Sequence, residues 1–283
     1  MNSLKPRLLT AAIGIPAMFL VIFISELWSP FVGIIVGLAS VMMVGEFLYA
    51  RRLLNVIPLS ILCMLYTLFM PIVSAFGSGT TYILTYIFLL FAFVISLIYY
   101  RTLHFMNLAY ALFGTLLITF GMTAIPIACC SNGISVSFFF VLIFLLPWMA
   151  DGGGYFIGSK FGKHKLCPGI SPKKTVEGVL GGVVFSIAAA LLMGLVFQFL
   201  VFRGDNSVRV NFVALVILAV LDSVISVVGD LSFSMIKRSL KIKDYGSIFP
   251  GHGGMLDRCD SIIFTAPLVV GVSQFVPFIT YLV

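Results

Sequence analysis

Charge is what this sequence has least of. Its 283 residues include only 10 Asp and Glu, against 17 Lys and Arg. Soluble domains carry roughly a quarter charged residues, and here the share is 10%, so a soluble globular fold is excluded. Histidine and cysteine are also sparse, with 3 and 5 residues. The cysteines (Cys63, Cys129, Cys130, Cys167 and Cys259) show no metal-ligand spacing and read as packing residues or inert thiols. Internal repeats and low-complexity tracts are missing, which removes solenoids and disordered tails from consideration.

What fills the chain is apolar sequence, 61% of it, with a mean hydropathy of +1.17. Apolar stretches of about 20 residues span a bilayer as helices rather than as barrel strands. The expected fold class is an all-α polytopic membrane protein of about nine transmembrane helices. The stretches are roughly 8–27, 30–49, 57–76, 80–100, 107–129, 135–150, 178–202, 210–236 and 260–282. The first, preceded by Lys5 and Arg7, resembles a signal peptide. It is long and shows no small-residue cleavage site, so it reads as a retained span.

The net charge of +7 is a topology signal, and no nucleic-acid partner is expected. One set of connections carries Lys5, Arg7, Arg51, Arg52, Arg101, Lys160, Lys163, Lys165, Lys173, Lys174, Lys237, Arg238, Lys241, Lys243 and Arg258; the other carries only Arg203 and Arg209. The positive-inside rule then predicts a cytoplasmic N-terminus and an external C-terminus. It also places two polar loops, 151–177 and 237–259, in the cytoplasm. Polar residues concentrate from about residue 147 onward. The expected division is an N-terminal scaffold, 1–134, and a C-terminal catalytic region, 135–283.

Intramembrane or juxtamembrane charge is costly and reads as functional. The first loop follows Asp151 with three glycines, through which backbone can approach a ligand closely. Lys160, Lys163, Lys165, Lys173 and Lys174 then concentrate positive charge, and Ser171-Pro172-Lys173-Lys174-Thr175 reads as a turn into the next helix, whose first N–H groups favour phosphate. The competing explanation is that these lysines enforce topology or touch anionic headgroups. On the eighth span Asp222, Ser226 and Asp230 recur every four residues and share a helix face. Asp222 could equally be a structural acid paired with a cation.

The second loop holds Asp244, Asp257 and Asp260 among Lys237, Arg238, Lys241, Lys243 and Arg258, around Pro250-Gly251-His252-Gly253-Gly254. That turn cannot be regular helix. Hard carboxylate oxygens select Mg²⁺ or Mn²⁺ over zinc. His252 suits a metal ligand or proton carrier as well as a phosphate or structural hydrogen bond. His104 and His164 read as interfacial loop residues, and Glu46 as a side chain reaching toward Arg51 or Arg52. Carboxylates beside cations fit a metal ion holding a phosphorylated substrate.

Two runs then identify a resemblance. Ser234 to Asp260, S-M-I-K-R-x4-K-D-x-G-x2-F-P-G-H-G-G-M-L-D-R-C-D, resembles the signature of phosphatidate cytidylyltransferases, also called CDP-diacylglycerol synthases. Asp151 to Gly178, D-x-G-x-Y-x-x-G-x-x-F-G-K followed by S-P-K-K-T-x-E-G, is similar to that family's second hallmark. The resemblance implies that phosphatidate and CTP give CDP-diacylglycerol and pyrophosphate, with Mg²⁺ required and a monovalent cation such as K⁺ beside it. It implies Asp230 and Asp257 as metal ligands and a homodimer in the cytoplasmic membrane. Lys237, Arg238, Asp244, Asp260 and His252 join them as catalytic candidates. Asp151, Lys160, Ser171, Lys173, Lys174, Arg258 and Ser226 are substrate-binding candidates. The chain departs from the family where Gly152 replaces the usual Ser or Thr, and where Ser232-Phe233-Ser234 replaces Thr/Phe-Glu-Ser. Other classes compatible with the composition are a CTP-dependent lipid kinase and a transporter for a phosphorylated solute; the missing repeat and the one-sided charge argue against the transporter.

Overall fold

A computed structural model describes residues 4–76, 79–131, 135–203, 208–248 and 253–281. A helix occupies each of the nine apolar stretches: α1 (Leu4–Leu27), α2 (Phe31–Ala50), α3 (Ile57–Ala75), α4 (Thr81–Ile98), α5 (Phe105–Ser131), α6 (Val136–Phe161), α7 (Val176–Val196), α8 (Phe212–Ser239) and, after the short α9 (Leu256–Cys259), α10 (Ile262–Phe275). Among the described residues seven helices, α2 to α8, are long and apolar enough to cross a membrane. The α10 helix, at 14 residues, is shorter than that. Strands β1 (Lys165–Cys167) and β2 (Ser171–Thr175) form one antiparallel pair, and β3 (Val208–Val210) and β4 (Ile279–Tyr281) another.

The chain forms two compact units. The first comprises Met1–Ser137 and Lys237–Ile263, the second Phe138–Ile236 and Phe264–Val283. In the first, α2, α3 and α5 make the core. Small residues let the helices approach: a Cβ at Gly33 would lie 3.1 Å from the Ile72 Cα. Tight crossings at small residues are how helices associate where lipid removes the hydrophobic drive. Phe47 stacks on Tyr110 with ring centroids 4.3 Å apart, and the buried Thr67 and Thr119 hydroxyls meet at 3.0 Å.

In the second unit α6 and α7 cross backbone to backbone. A Cβ at Gly178 would stand 2.8 Å from the Gly154 carbonyl oxygen and 3.4 Å from the Gly158 Cα. This overturns the expected loop from residue 151. Asp151 and its glycines continue helix α6 to Phe161, and the glycines serve helix packing. The expected turn at 171–175 is likewise a strand, β2, paired with β1. The hairpin is closed by Glu177, whose carboxylate accepts from the main-chain N–H of Lys163 and of His164, at 3.1 and 3.2 Å. Thr175 caps α7, its Oγ1 accepting from Gly178 N at 3.1 Å.

Candidate active site

Within the second unit, α6, β2, α7 and α8 enclose a cavity of about 250 Å³. Asp151 and Tyr155 come from α6, Ser171, Lys173 and Lys174 from β2, and Ser223 from α8. Four substrate-binding candidates, Asp151, Ser171, Lys173 and Lys174, therefore share one wall. Lys174 Nζ lies 2.5 Å from Asp230 Oδ2, with both side chains about one-fifth to one-quarter exposed. The Ser234 hydroxyl donates to Asp230 Oδ1 at 3.3 Å. The backbone that gives this geometry is the β2 strand running directly into the capped start of α7.

Other candidates lie elsewhere. Lys160 sits over the Phe156 ring at 4.4 Å, outside the cavity wall. Ser226 is fully buried on α8 and also outside the wall, whereas Ser223 lines it. Asp222 is fully buried, and among the described residues no cation pairs with it. The departing residue Phe233 is buried edge-on against Phe264, centroids 6.2 Å apart. A Cβ at Gly152 would meet open space.

The first unit builds its own polar centre around Asp257 on α9. Asp257 Oδ1 accepts from Lys237 Nζ at 2.8 Å, and the side chains are 4% and 10% exposed. Asp257 Oδ2 accepts from Tyr245 N at 2.8 Å and Gly254 N at 3.0 Å. Gly253, with φ +85°, takes a backbone conformation that L side chains resist, and so lets the chain turn onto Asp257. Asp260 is buried, and its Oδ1 accepts from Ser261 N at 2.8 Å. Arg238, Asp244 and Arg258 are exposed. Burial, with Tyr110, Asp257 and Asp260 nearby, pushes the Tyr245 hydroxyl well up, so it stays a neutral phenol at physiological pH. Phe249, Pro250, Gly251 and His252 lie outside the described residues, His252 with them.

Glu46 corrects the expectation made for it. It does not reach toward Arg51 or Arg52. It is buried, and its two oxygens accept from Met255 N at 3.0 Å and Leu256 N at 2.9 Å. A Cβ at Gly246 or Gly254 would collide with this carboxylate, which explains glycine at both places. Glu46 thus fixes the start of α9 and, through it, Asp257. No local sequence signal pairs residues more than 200 positions apart; a lone acid in an apolar helix was the only clue.

Together, two carboxylates each held by a lysine and a cationic cavity suit chemistry on phosphates. The chain matches the cytidylyltransferase family model over residues 5–276. It belongs to that family. It is 42% identical over 130 residues to the phosphatidate cytidylyltransferase of Haemophilus influenzae, covering 46% of this chain and 43% of that protein. It is 42% identical over 122 residues to the one of Bacillus subtilis, covering 43% of this chain and 42% of that protein. A Staphylococcus aureus protein of the same name is 43% identical over 126 residues, covering 44% of this chain and 45% of its own. These matches span less than half the length of the curated relatives.

The donor chemistry bears on the implied Mg²⁺. Among the described residues no three His, Cys, Asp or Glu side chains converge. Mg²⁺ is commonly held by one or two carboxylates, with substrate phosphates and water completing its shell. A carboxylate offers about four acceptor sites; three of those on Asp257 are taken, and Asp230 accepts from Lys174 and Ser234. Both acids therefore keep acceptor capacity of the hard-oxygen kind that Mg²⁺ takes.

Proposed function

We propose that this protein transfers the cytidylyl group of CTP to phosphatidate, giving CDP-diacylglycerol and pyrophosphate for phospholipid synthesis. The observation that carries this reading is the cavity lined by Asp151, Lys173 and Lys174, with Lys174 tied to Asp230, in a chain of the cytidylyltransferase family. The names of the curated relatives and the Ser234–Asp260 motif support phosphatidate as the acceptor.

In the reaction a phosphate oxygen of phosphatidate attacks the α-phosphorus of CTP. The new P–O bond forms as the bond to pyrophosphate breaks, and the electron pair leaves with pyrophosphate. The attacking phosphate is already ionised near neutral pH, so no protein nucleophile is required. Two anions must meet, and Lys173 and Lys174 offset their repulsion as point charges on the phosphates. Lys237 and Arg238 serve the triphosphate or the lipid phosphate in the same way. Asp230 and Asp257 would hold Mg²⁺, which when bound neutralises charge on phosphate oxygens and on the leaving pyrophosphate. The lipid enters from the bilayer and the nucleotide from the aqueous side. The resemblance further supports a monovalent cation such as K⁺ and a homodimer. K⁺-dependent turnover and a crosslinked band at twice the monomer mass are the corresponding expectations; turnover unchanged by K⁺ withdrawal, or no such band, would remove each.

One assay tests the reading. The purified chain with phosphatidate should turn over CTP in preference to the other three ribonucleoside triphosphates, and only with a divalent ion. Lys173→Ala or Lys174→Ala should raise the KM for CTP more than that for phosphatidate, and at least one should slow turnover. Unchanged CTP kinetics in both variants would reduce these lysines to topology signals.

The site should face the cytoplasm, because 15 of the 17 Lys and Arg fall on one set of connections. In a background lacking the native cysteines, an impermeant thiol reagent added outside should label Arg203→Cys and miss Lys165→Cys. The reverse pattern would invert the orientation.

A further inference from the structure

The first unit holds a second cavity, about 730 Å³, that the reaction described above does not use. Tyr49, Arg52 and Asn55, at the end of α2 and just beyond it, form one side; Asp244 and Tyr245, beyond α8, form the other. The volume is in the range of small-molecule sites. Its wall is joined to Asp257, because Tyr245 lines the cavity while its main-chain N–H donates to Asp257 Oδ2 at 2.8 Å. The Tyr245 ring lies tilted against Phe47, ring centroids 6.0 Å apart.

Two backbone features mark the same place. Among the described residues Arg52 and Lys241 are the non-glycine residues with positive φ, both 58°. Arg52 lines the cavity and Lys241 lies between two residues that do, Leu240 and Ile242. Both follow a helix end, where a left-handed residue stops α2 or α8 and turns the chain along the cavity. Among the described residues no hydrogen bond or ion pair engages the side chains of Arg52, Asn55 or Asp244, and Tyr49 exposes 67% of its surface.

The groups on offer are therefore one anionic acceptor, one cationic donor, one amide and two tyrosine rings. We propose that this cavity receives the cytosine ring of the nucleotide, with Asp244 accepting from its N4 amine and Arg52 and Asn55 donating to its O2 and N3. The assignment rests on CTP being the substrate. An Asp or Glu accepting from the cytosine amine is the expected pairing, and donors suit its two acceptors. Uracil would turn a carbonyl oxygen toward the carboxylate and a ring N–H toward the donors. Adenine has the amine but no O2 for the second donor. The cavity thus supplies a physical basis for choosing cytidine.

The test uses the full chain in detergent with phosphatidate, and CTP or UTP as the nucleotide. In Asp244→Asn the amide can donate to the uracil carbonyl. The ratio of kcat/KM for CTP to that for UTP should fall by at least about tenfold. Arg52→Ala and Asn55→Ala should raise the KM for CTP severalfold and leave that for phosphatidate unchanged. A parallel loss with both nucleotides in Asp244→Asn would overturn the assignment, as would unchanged CTP KM in the two alanine variants. If Asp244→Asn does not fold, the alanine variants decide. Wild-type protein that uses no CTP at all would instead contradict the proposed function itself.

Discussion

Asp230→Asn and Asp257→Asn are each expected to lower turnover by at least about a hundredfold, on the order of 3 kcal/mol in barrier. The substitution keeps side-chain size and removes one charge from the pair proposed to hold Mg²⁺. Both variants should also lose stability. Asp230→Asn leaves the Lys174 ammonium, itself buried from water, facing a neutral amide, so it should melt below the wild-type temperature. Asp257 is 4% exposed and accepts three hydrogen bonds. An amide NH₂ there must face either the Lys237 ammonium or a main-chain N–H, and a buried charge that loses its partner is strongly destabilising. Asp257→Asn should therefore lose several degrees of melting temperature as well as activity. Near-normal divalent-dependent turnover in either variant would exclude that residue as a principal metal ligand.

Glu46→Ala should be nearly as damaging, although Glu46 is proposed to touch no substrate. Its carboxylate satisfies two N–H groups at the start of α9. Hydrogen bonds to charged groups contribute roughly 1.5–3 kcal/mol each, so the loss should be on the order of 3 kcal/mol. Asp257 then loses the fixed backbone that aims it. Turnover should fall at least tenfold with little change in KM for CTP, and the melting temperature should drop. Glu46→Gln keeps one acceptor oxygen and should recover part of both. A Glu46→Ala protein with wild-type melting and turnover would show that α9 holds itself.

The helices were legible because lipid imposes a length and an apolar composition on anything that crosses it. Each apolar stretch read from the sequence carries a helix. The candidates on β2 and α8 could be singled out because charge is so rare here that Lys173, Lys174 and Asp230 stand out. What failed was local inference from glycine. Asp151-Gly152-Gly153-Gly154 reads as a loop in isolation, yet Gly154 and Gly158 allow α6 to touch α7 at Gly178. Helix propensity was overridden by a tertiary contact. Glu46 was misread for a related reason: its partners, Met255 and Leu256, are invisible to any short window.

Labelling CTP at the α- or the γ-phosphorus tests the central claim most directly. With the purified chain, phosphatidate and a divalent ion, cytidylyl transfer predicts that α-label enters the lipid product and γ-label leaves in pyrophosphate. Lipid carrying the γ-label and lacking cytidine would make the protein a CTP-dependent lipid kinase and contradict the account.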